Sequence, residues 1–479
     1  MHQFEDDREL EARGYRREMP RQFSVFSLVA LSFSLTCTWS GTGSSMGISI
    51  TEASAAGTLW SIPVAALMTT ILSAGVAELA SAYPVAGAQY YWAFFLSSDK
   101  YRAFASYMNG WLSILGWWLA SAAACNFISS LILSIAYLWY PDYQSQNWHE
   151  WLVYLGIVWL AVTLNTFGSQ LLPLFNRFNF ILACSTLTAT TITLFVCSRR
   201  NHATVEWIFA DTTNGTGWPS NGFAFILAIS NAVYAFLGTD CGAHLCEEIR
   251  DPAKNAPKII LYPILIGLVT AWPFACACMY AITDVEAVLN TPSGLPLIEI
   301  YYQSTQSKSA ASILLALFAF CFFGCSVANG TVISLYGLIF LGSSTAFSAM
   351  VGAAVIFLQT SCALPQAILL FRGRDHVLPE RPFTLGRLGP IINFLAVAWV
   401  VFLDILCCIP TEMPVTKENM NYISVVTFGL TSIVLLMYVF CKKGKYLGPR
   451  MPSGGLHLDG QEVSFKEGKH VNLHESKDD

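Results

Sequence analysis

Long apolar runs separated by short polar stretches occupy this chain from residue 23 to residue 441. A helix needs about 20 apolar residues to cross a bilayer core. Runs near that length occur at Phe23–Ile50, Leu59–Leu79, Ala103–Leu138, Trp151–Phe167, Phe178–Cys197, Phe223–Leu245, Ile259–Ile282 and Ala310–Ala328. A shorter piece at Val332–Leu341 is followed by Ala346–Phe371, Ile391–Ile409 and Tyr422–Cys441. The pattern predicts an all-α polytopic membrane protein of about 12 transmembrane helices. It divides the chain into a polar N-terminal tail at 1–21, a membrane domain at 22–441, and a polar, Gly-rich tail at 442–479 that is expected to be disordered.

Composition sharpens this reading. Only 12% of the residues are charged and 54% are hydrophobic, whereas soluble domains carry about 25% charged residues. A net charge of −5 without basic runs argues against a nucleic-acid partner. The 14 cysteines lie mostly inside apolar runs, as at Cys37, Cys184, Cys276, Cys278, Cys321 and Cys362. They read as small core residues, because neither disulfide nor zinc-ligand spacing is present. No metal or cofactor is expected.

Basic residues orient the spans. Arg8, Arg13, Arg16, Arg17 and Arg21 precede the first run and predict a cytoplasmic N-terminus without a cleavable signal peptide. Lys100, Arg102, Arg177, Arg250, Lys254, Lys258, Arg372, Arg374, Arg381, Arg387 and Lys442–Lys445 fall on the same side in the twelve-span reading. The other side holds the 139–150 loop and the 199–220 loop, the latter with a glycosylation sequon at Asn214-Gly215-Thr216. Both termini are therefore placed in the cytoplasm. The plasma membrane is the expected location, with the vacuolar membrane as alternative.

Two spans are interrupted. The first contains Ser40-Gly41-Thr42-Gly43-Ser44-Ser45, the sixth Gly238-Thr239-Asp240-Cys241-Gly242. Small residues in a span can mark close helix packing. They can equally mark an unwound segment whose backbone lines a cavity. Interruptions in spans one and six, an odd number of spans apart, match two halves of inverted topology with a binding site between them. On that reading a half-helix beginning near Gly43 presents amides to an anionic group, and the half-helix ending near Gly238 presents carbonyls to an ammonium. Asp240 adds a counter-charge. Trp39, Tyr234 and Phe236 flank the breaks and are placed to stack on a cation. The candidate substrate residues are Trp39, Ser40, Gly41, Thr42, Gly43, Ser44, Tyr234, Phe236, Gly238, Thr239 and Asp240.

Several motifs then resemble the amino acid–polyamine–organocation superfamily, in its fungal amino acid/choline/GABA permease branch. They are Glu78-Leu79-Ala80-Ser81-Ala82-Tyr83-Pro84 with Gly87, Gln89, Tyr90, Tyr91 and Trp92; Glu247-Glu248-Ile249 with Asp251-Pro252; Phe323–Gly330; Leu341–Phe347; and Pro414-Val415-Thr416 with Asn419–Tyr422. The resemblance spans roughly residues 20–445. It implies a LeuT-like five-plus-five inverted repeat with two further C-terminal helices. It also implies transport by alternating access of an amino acid or related amine (GABA, choline or a polyamine), with a proton as coupling ion. Relatives carry a longer segment between the stretches matching Ser326–Gly330 and Leu341–Thr345. Here Gly330 runs straight into Thr331, which suggests an internal deletion by splicing or a gene-model error. A shortened hairpin of helices eight and nine, turning near Asn329-Gly330, is expected. A non-transporting sensor or defective variant is the alternative reading.

The remaining signals are set against that background. Gly43-Ser44-Ser45-Met46-Gly47 fits a nucleophile pattern but lacks its strand–turn–helix context, so no enzyme is expected. Asp240, His244, Glu247 and Glu248 share a helical face, read as a cytoplasmic helix end with gating ion pairs rather than as a metal site. Glu78 is a gating candidate that would pair with a basic loop residue. Asp404, within span eleven, is either a shielded structural acid or a proton relay.

Overall fold

A membrane span must satisfy its backbone polar groups within itself, and this chain does so with helices. The computed structural model describes residues 25–36, 38–143, 146–246, 249–291, 294–326, 344–374, 377–417, 419–449, 456–458 and 461–463. Its helices in chain order are α1 (Val25–Thr36), α2 (Thr38–Ala82), α3 (Gln89–Leu96), α4 (Arg102–Trp139), α5 (Asn147–Phe167), α6 (Leu172–Cys197), α7 (Val205–Phe209) and α8 (Asn221–Val233). There follow α9 (Cys241–His244), α10 (Pro252–Ala281), α11 (Val285–Leu289), α12 (Pro296–Thr305), α13 (Lys308–Ser326), α14 (Ser344–Arg372), α15 (Gly389–Cys407) and α16 (Ile423–Met437). Among the described residues, nine helical segments are long and apolar enough to cross a membrane.

The longest of these crosses twice. Straight, the 45 residues of α2 would extend about 68 Å, more than double the roughly 30 Å hydrocarbon core. The backbone instead bends at Ala53 (φ −147°, ψ 24°) and Ser54 (φ 54°, ψ −163°). Ser54 is held in this unfavourable conformation from the 199–220 loop: its hydroxyl donates to Asp211 Oδ2 at 2.9 Å, and the Ala56 amide donates to the Asp211 carbonyl at 3.2 Å. The shorter α13 is a further apolar helix.

The first span is not unwound where the sequence analysis expects it. Ser40–Ser45 are helical, so no half-helix begins near Gly43. Three of the hydroxyls bond within the helix: Thr42 donates to the Thr38 carbonyl at 2.9 Å, Ser44 to Gly41 at 2.7 Å and Ser45 to Gly41 at 3.1 Å, while Ser40 Oγ is buried without a partner. The glycines serve close packing. A Cβ on Gly41 would stand 2.8 Å from Ala235 Cα, and one on Gly43 would stand 2.8 Å from the Phe318 ring.

The core sits where α2, α10 and α13 meet. Trp39 is fully buried there, with Phe274 and Phe318 edge-on at 5.5 and 4.8 Å between ring centroids. The periphery is apolar and open. Of α16 only Val434 is buried, while Val425, Phe428 and Phe440 at this end of the chain are exposed, as suits a lipid-facing surface. The hairpin expected near Asn329-Gly330 and the short ninth span Val332–Leu341 lie outside the described residues. In the C-terminal tail, β1 (Leu456–Leu458) and β2 (Gln461–Val463) pair antiparallel with Leu456 opposite Val463.

Candidate functional site

Span six is interrupted at the expected place. Its helix α8 is capped by Ser220, whose hydroxyl accepts from the Phe223 amide. It runs to Val233, tightens into a 3₁₀ turn at Tyr234–Phe236 and restarts as α9 at Cys241. Between them Leu237 is extended (φ −67°, ψ 157°) and Gly238 has φ +78°. Glycine is favoured at Gly238 for two reasons. Its left-handed φ carries no Cβ penalty, and an added Cβ would stand 2.9 Å from the Trp117 ring.

A cavity of about 60 Å³ lies at this break, lined by Thr36, Gly41, Trp117, Ser121, Tyr234, Leu237, Gly238 and Phe322 with neighbouring small residues. This exceeds the roughly 10–15 Å³ that a cavity needs to hold a single water, so the chamber can be hydrated. Its polar atoms come from hydroxyls, amides and carbonyls, and among the described residues no carboxylate lines it. The rings of Trp117, Tyr234 and Phe322 offer negative π-faces, and the C-terminal end of α8 points its partial negative charge at the break.

Tyr234 also lines a second, larger cavity of about 580 Å³. Its walls carry Ser44, Ser45, Glu52, Asn126, Asn231 and Glu412, together with Asn419–Ile423. It opens on the face that holds the 409–422 loop. Asn231 ties its wall together, donating to Ser49 Oγ at 2.8 Å and to the Ser45 carbonyl at 3.3 Å. The two cavities thus form a vestibule and an inner chamber on either side of one tyrosine.

The opposite face is closed by charge. Glu78, at the far end of α2, is 1% exposed and forms ion pairs with Arg374 and Arg381, the latter at 2.7 Å. It also accepts the Leu385 amide at 3.0 Å. One buried carboxylate therefore ties α2 to the segment that leads into α15.

The predicted residues distribute unevenly over this geometry. Gly41, Tyr234 and Gly238 line the chamber and Ser44 lines the vestibule. Trp39 and Phe236 are core residues that line neither cavity, and Ser40, Thr42 and Gly43 lie within the helical packing of α2. Thr239 pairs with Ser73 at 3.1 Å. Asp240 is buried behind the break, where its Oδ2 accepts from Gln89 Nε2 and lies 3.5 Å from His244 Nε2. The His244 Nδ1 bonds the Ala86 carbonyl at 2.8 Å, which as an acceptor requires a proton on Nδ1. Asp404 accepts from Thr360 at 2.9 Å through one oxygen, and its other oxygen is buried without a partner. Glu247 and Glu248 lie outside the described residues. Trp117 and Glu52 are not among the candidates read from the sequence, and Gln89 stands there only as part of a family motif. Glu52 carries no such signal as Asp240 does, because it falls in the stretch between the runs that end at Ile50 and restart at Leu59, where an acid is unremarkable.

Residues 23–334 and 325–430 match the amino acid permease family model. The two matched pieces overlap at 325–334, beside the join at Gly330. A choline transporter of Saccharomyces cerevisiae is 30% identical over 89% of this chain and 82% of its own length. The amino-acid permease BAT1 of Arabidopsis thaliana is 26% identical over 92% of this chain and 95% of its own. A manganese transporter of Eremococcus coleocola has a similar fold, with a TM-score of 0.52 and 14% identity over 90% of this chain and 98% of its own.

Proposed function

The chain belongs to the amino acid permease family and is an integral membrane transporter, and on that premise we propose that it carries a small amine by alternating access through the chamber at the break of span six. The observation that supports this reading is that vestibule and chamber share Tyr234 as a common wall, while Glu78 is ion-paired with Arg374 and Arg381 at the far end of α2. The chamber is small, about 60 Å³, and so suits a compact solute better than a long polyamine. Its aromatic lining favours an ammonium group, held by rings and carbonyls rather than by an ion pair. The 30% identity to a choline transporter points the same way.

The proposed site residues are Gly41, Ser44, Tyr234 and Gly238 from the sequence, joined by Trp117. Trp39, Phe236 and Thr239 support the site by packing, and Glu78 acts as the gate. A proton is the proposed coupling ion, with the buried acids Asp240 and Asp404 as its candidate carriers. The protein is proposed to reside in the plasma membrane with both termini in the cytoplasm and the vestibule facing outward.

The decisive assay is uptake of radiolabelled choline, GABA, putrescine and a mixed amino-acid pool by yeast lacking its own carriers and displaying this chain at the surface. Saturable uptake of choline or GABA is expected. Surface delivery without uptake of any of them would overturn the transport reading. It would favour the alternative of a non-transporting variant, which the split family match at the shortened helix eight–nine region motivates.

A further inference from the structure

The outer vestibule carries charge that the inner chamber lacks. Among the described residues, two carboxyl groups, Glu52 and Glu412, line it, and no lysine or arginine does. Phe127, Tyr234 and Tyr422 add ring faces to the same wall. Glu52 is the unusual member. It lies on α2 immediately before the bend at Ala53–Ser54, is 2% exposed, and its Oε2 is buried without a hydrogen-bond partner. A charged or polar oxygen left unpaired in a protein interior is costly, unless a ligand completes it.

We propose that Glu52 forms a vestibular binding site for the ammonium group of an organic cation, distinct from the chamber at the break of span six. The bend positions the carboxyl at the mouth of the vestibule wall while burying most of the side chain. An incoming ammonium supplies the missing partner of Oε2. Glu412 raises the local concentration of cations without direct contact, and the rings accept the methyl or methylene groups beside the charge. Anions are turned away by two carboxyls with no compensating base. The vestibule thereby selects for positive charge before the chamber selects for size and shape. This deepens the proposed transport of a small amine and rests on it only for the direction of travel, since binding at Glu52 needs no transport cycle.

The test uses the purified full-length chain. Thermal stabilisation is titrated with choline and with its uncharged carbon isostere, 3,3-dimethyl-1-butanol, for wild type, Glu52→Gln and Glu412→Gln. Choline is expected to stabilise the wild type, with a half-saturating concentration that rises about tenfold in E52Q and about twofold in E412Q. The isostere is expected not to distinguish E52Q from wild type. Equal choline titrations for wild type and a folded E52Q would overturn the proposal, as would absence of choline binding to the wild type. Uptake by yeast cells separates this from the transport reading. Uptake with no Glu52 dependence of choline binding defeats the vestibular site alone. Glu52-dependent binding without uptake defeats the transport reading alone.

Discussion

Gly238 and Trp117 carry the chamber between them, one by having no side chain and the other by having a large one. A methyl group at Gly238 would meet a left-handed φ of +78° and the Trp117 ring at 2.9 Å. Gly238→Ala is therefore expected to reduce uptake at least tenfold in cells with unchanged surface protein. Trp117→Ala removes a ring face from a desolvated cation, an interaction of about 2 kcal/mol, which corresponds to about a 30-fold rise in KM. Trp117→Phe should recover part of that loss, a graded response that a purely structural role would not give. The same scale shows where residue-level reading of the sequence succeeds and fails. Glycine paired with an ionisable residue marked the break at Gly238–Asp240, because a backbone requirement and a solvation cost coincide there. Trp117 had no such signature, since one tryptophan among 14 in an apolar chain looks like packing until its neighbours are known. Trp39 shows the converse: it sits near a small-residue run but turns into the core between Phe274 and Phe318.

At the scale of elements, α2 shows that an identical composition can serve two ends. Ser40–Ser45 resembles an unwound segment in sequence, yet the hydroxyls of Thr42, Ser44 and Ser45 bond back to carbonyls three and four residues earlier and the helix stays intact. What its glycines provide is close approach, of Gly41 to the 3₁₀ turn of span six and of Gly43 to the Phe318 ring on α13. Gly41→Val would place a branched side chain against the Ala235 backbone. Such overpacking costs about 1–3 kcal/mol and here would displace the turn that shapes the chamber, so lost uptake with retained folding is expected, read by uptake and by detergent thermal stability. Small residues alone cannot distinguish these outcomes, because the deciding factor is the partner surface on another helix. The separation of the runs at Ile50 and Leu59 anticipated a turn that the structure places at Ala53–Ser54, but what holds it was not legible, since its support comes from Asp211, more than 150 residues away in sequence. Burial pushes the Asp211 carboxyl up, but bonds from the Thr213 amide, the Ser54 hydroxyl and the Thr213 hydroxyl outweigh it and hold the group below its usual range. A depressed carboxylate contributes stability above its unfolded value of about 3.9, and that stability is lost as pH falls through the lower folded value. Asp211→Asn should therefore weaken the bend at neutral pH. The difference between variant and wild type should shrink only in strong acid, measurable as Tm against pH.

For the whole molecule, the arrangement is asymmetric: a vestibule of about 580 Å³ opens on one face, and a buried ion-paired glutamate seals the other. Hydropathy and basic-loop reading anticipated the helical membrane domain, because lipid leaves a chain few other ways to satisfy its backbone. Which face stands open is a property of packing between distant segments, and Glu78 meets its partners about 300 residues further along the chain. Breaking a buried pair by removing one partner costs about 3–5 kcal/mol. A cost of that size in one conformation alone shifts a two-state population by more than a hundredfold. Glu78→Gln is accordingly expected to favour the state open on the Glu78 face and closed at the vestibule. Cys407 reports this directly, because it lines the vestibule and is half-buried, whereas Cys241, Cys246 and Cys362 are buried elsewhere. A membrane-impermeant thiol reagent applied to intact cells should label Cys407 in a protein that carries Cys197→Ser and Cys408→Ser, since Cys197 is exposed and Cys408 half-buried, with the signal removed by a further Cys407→Ser. The labelling should slow several-fold when Glu78 is replaced by glutamine. An unchanged rate in a surface-delivered Glu78→Gln protein would mean that the ion pairs fasten a loop without controlling access, and alternating access in this chain would need a different lock.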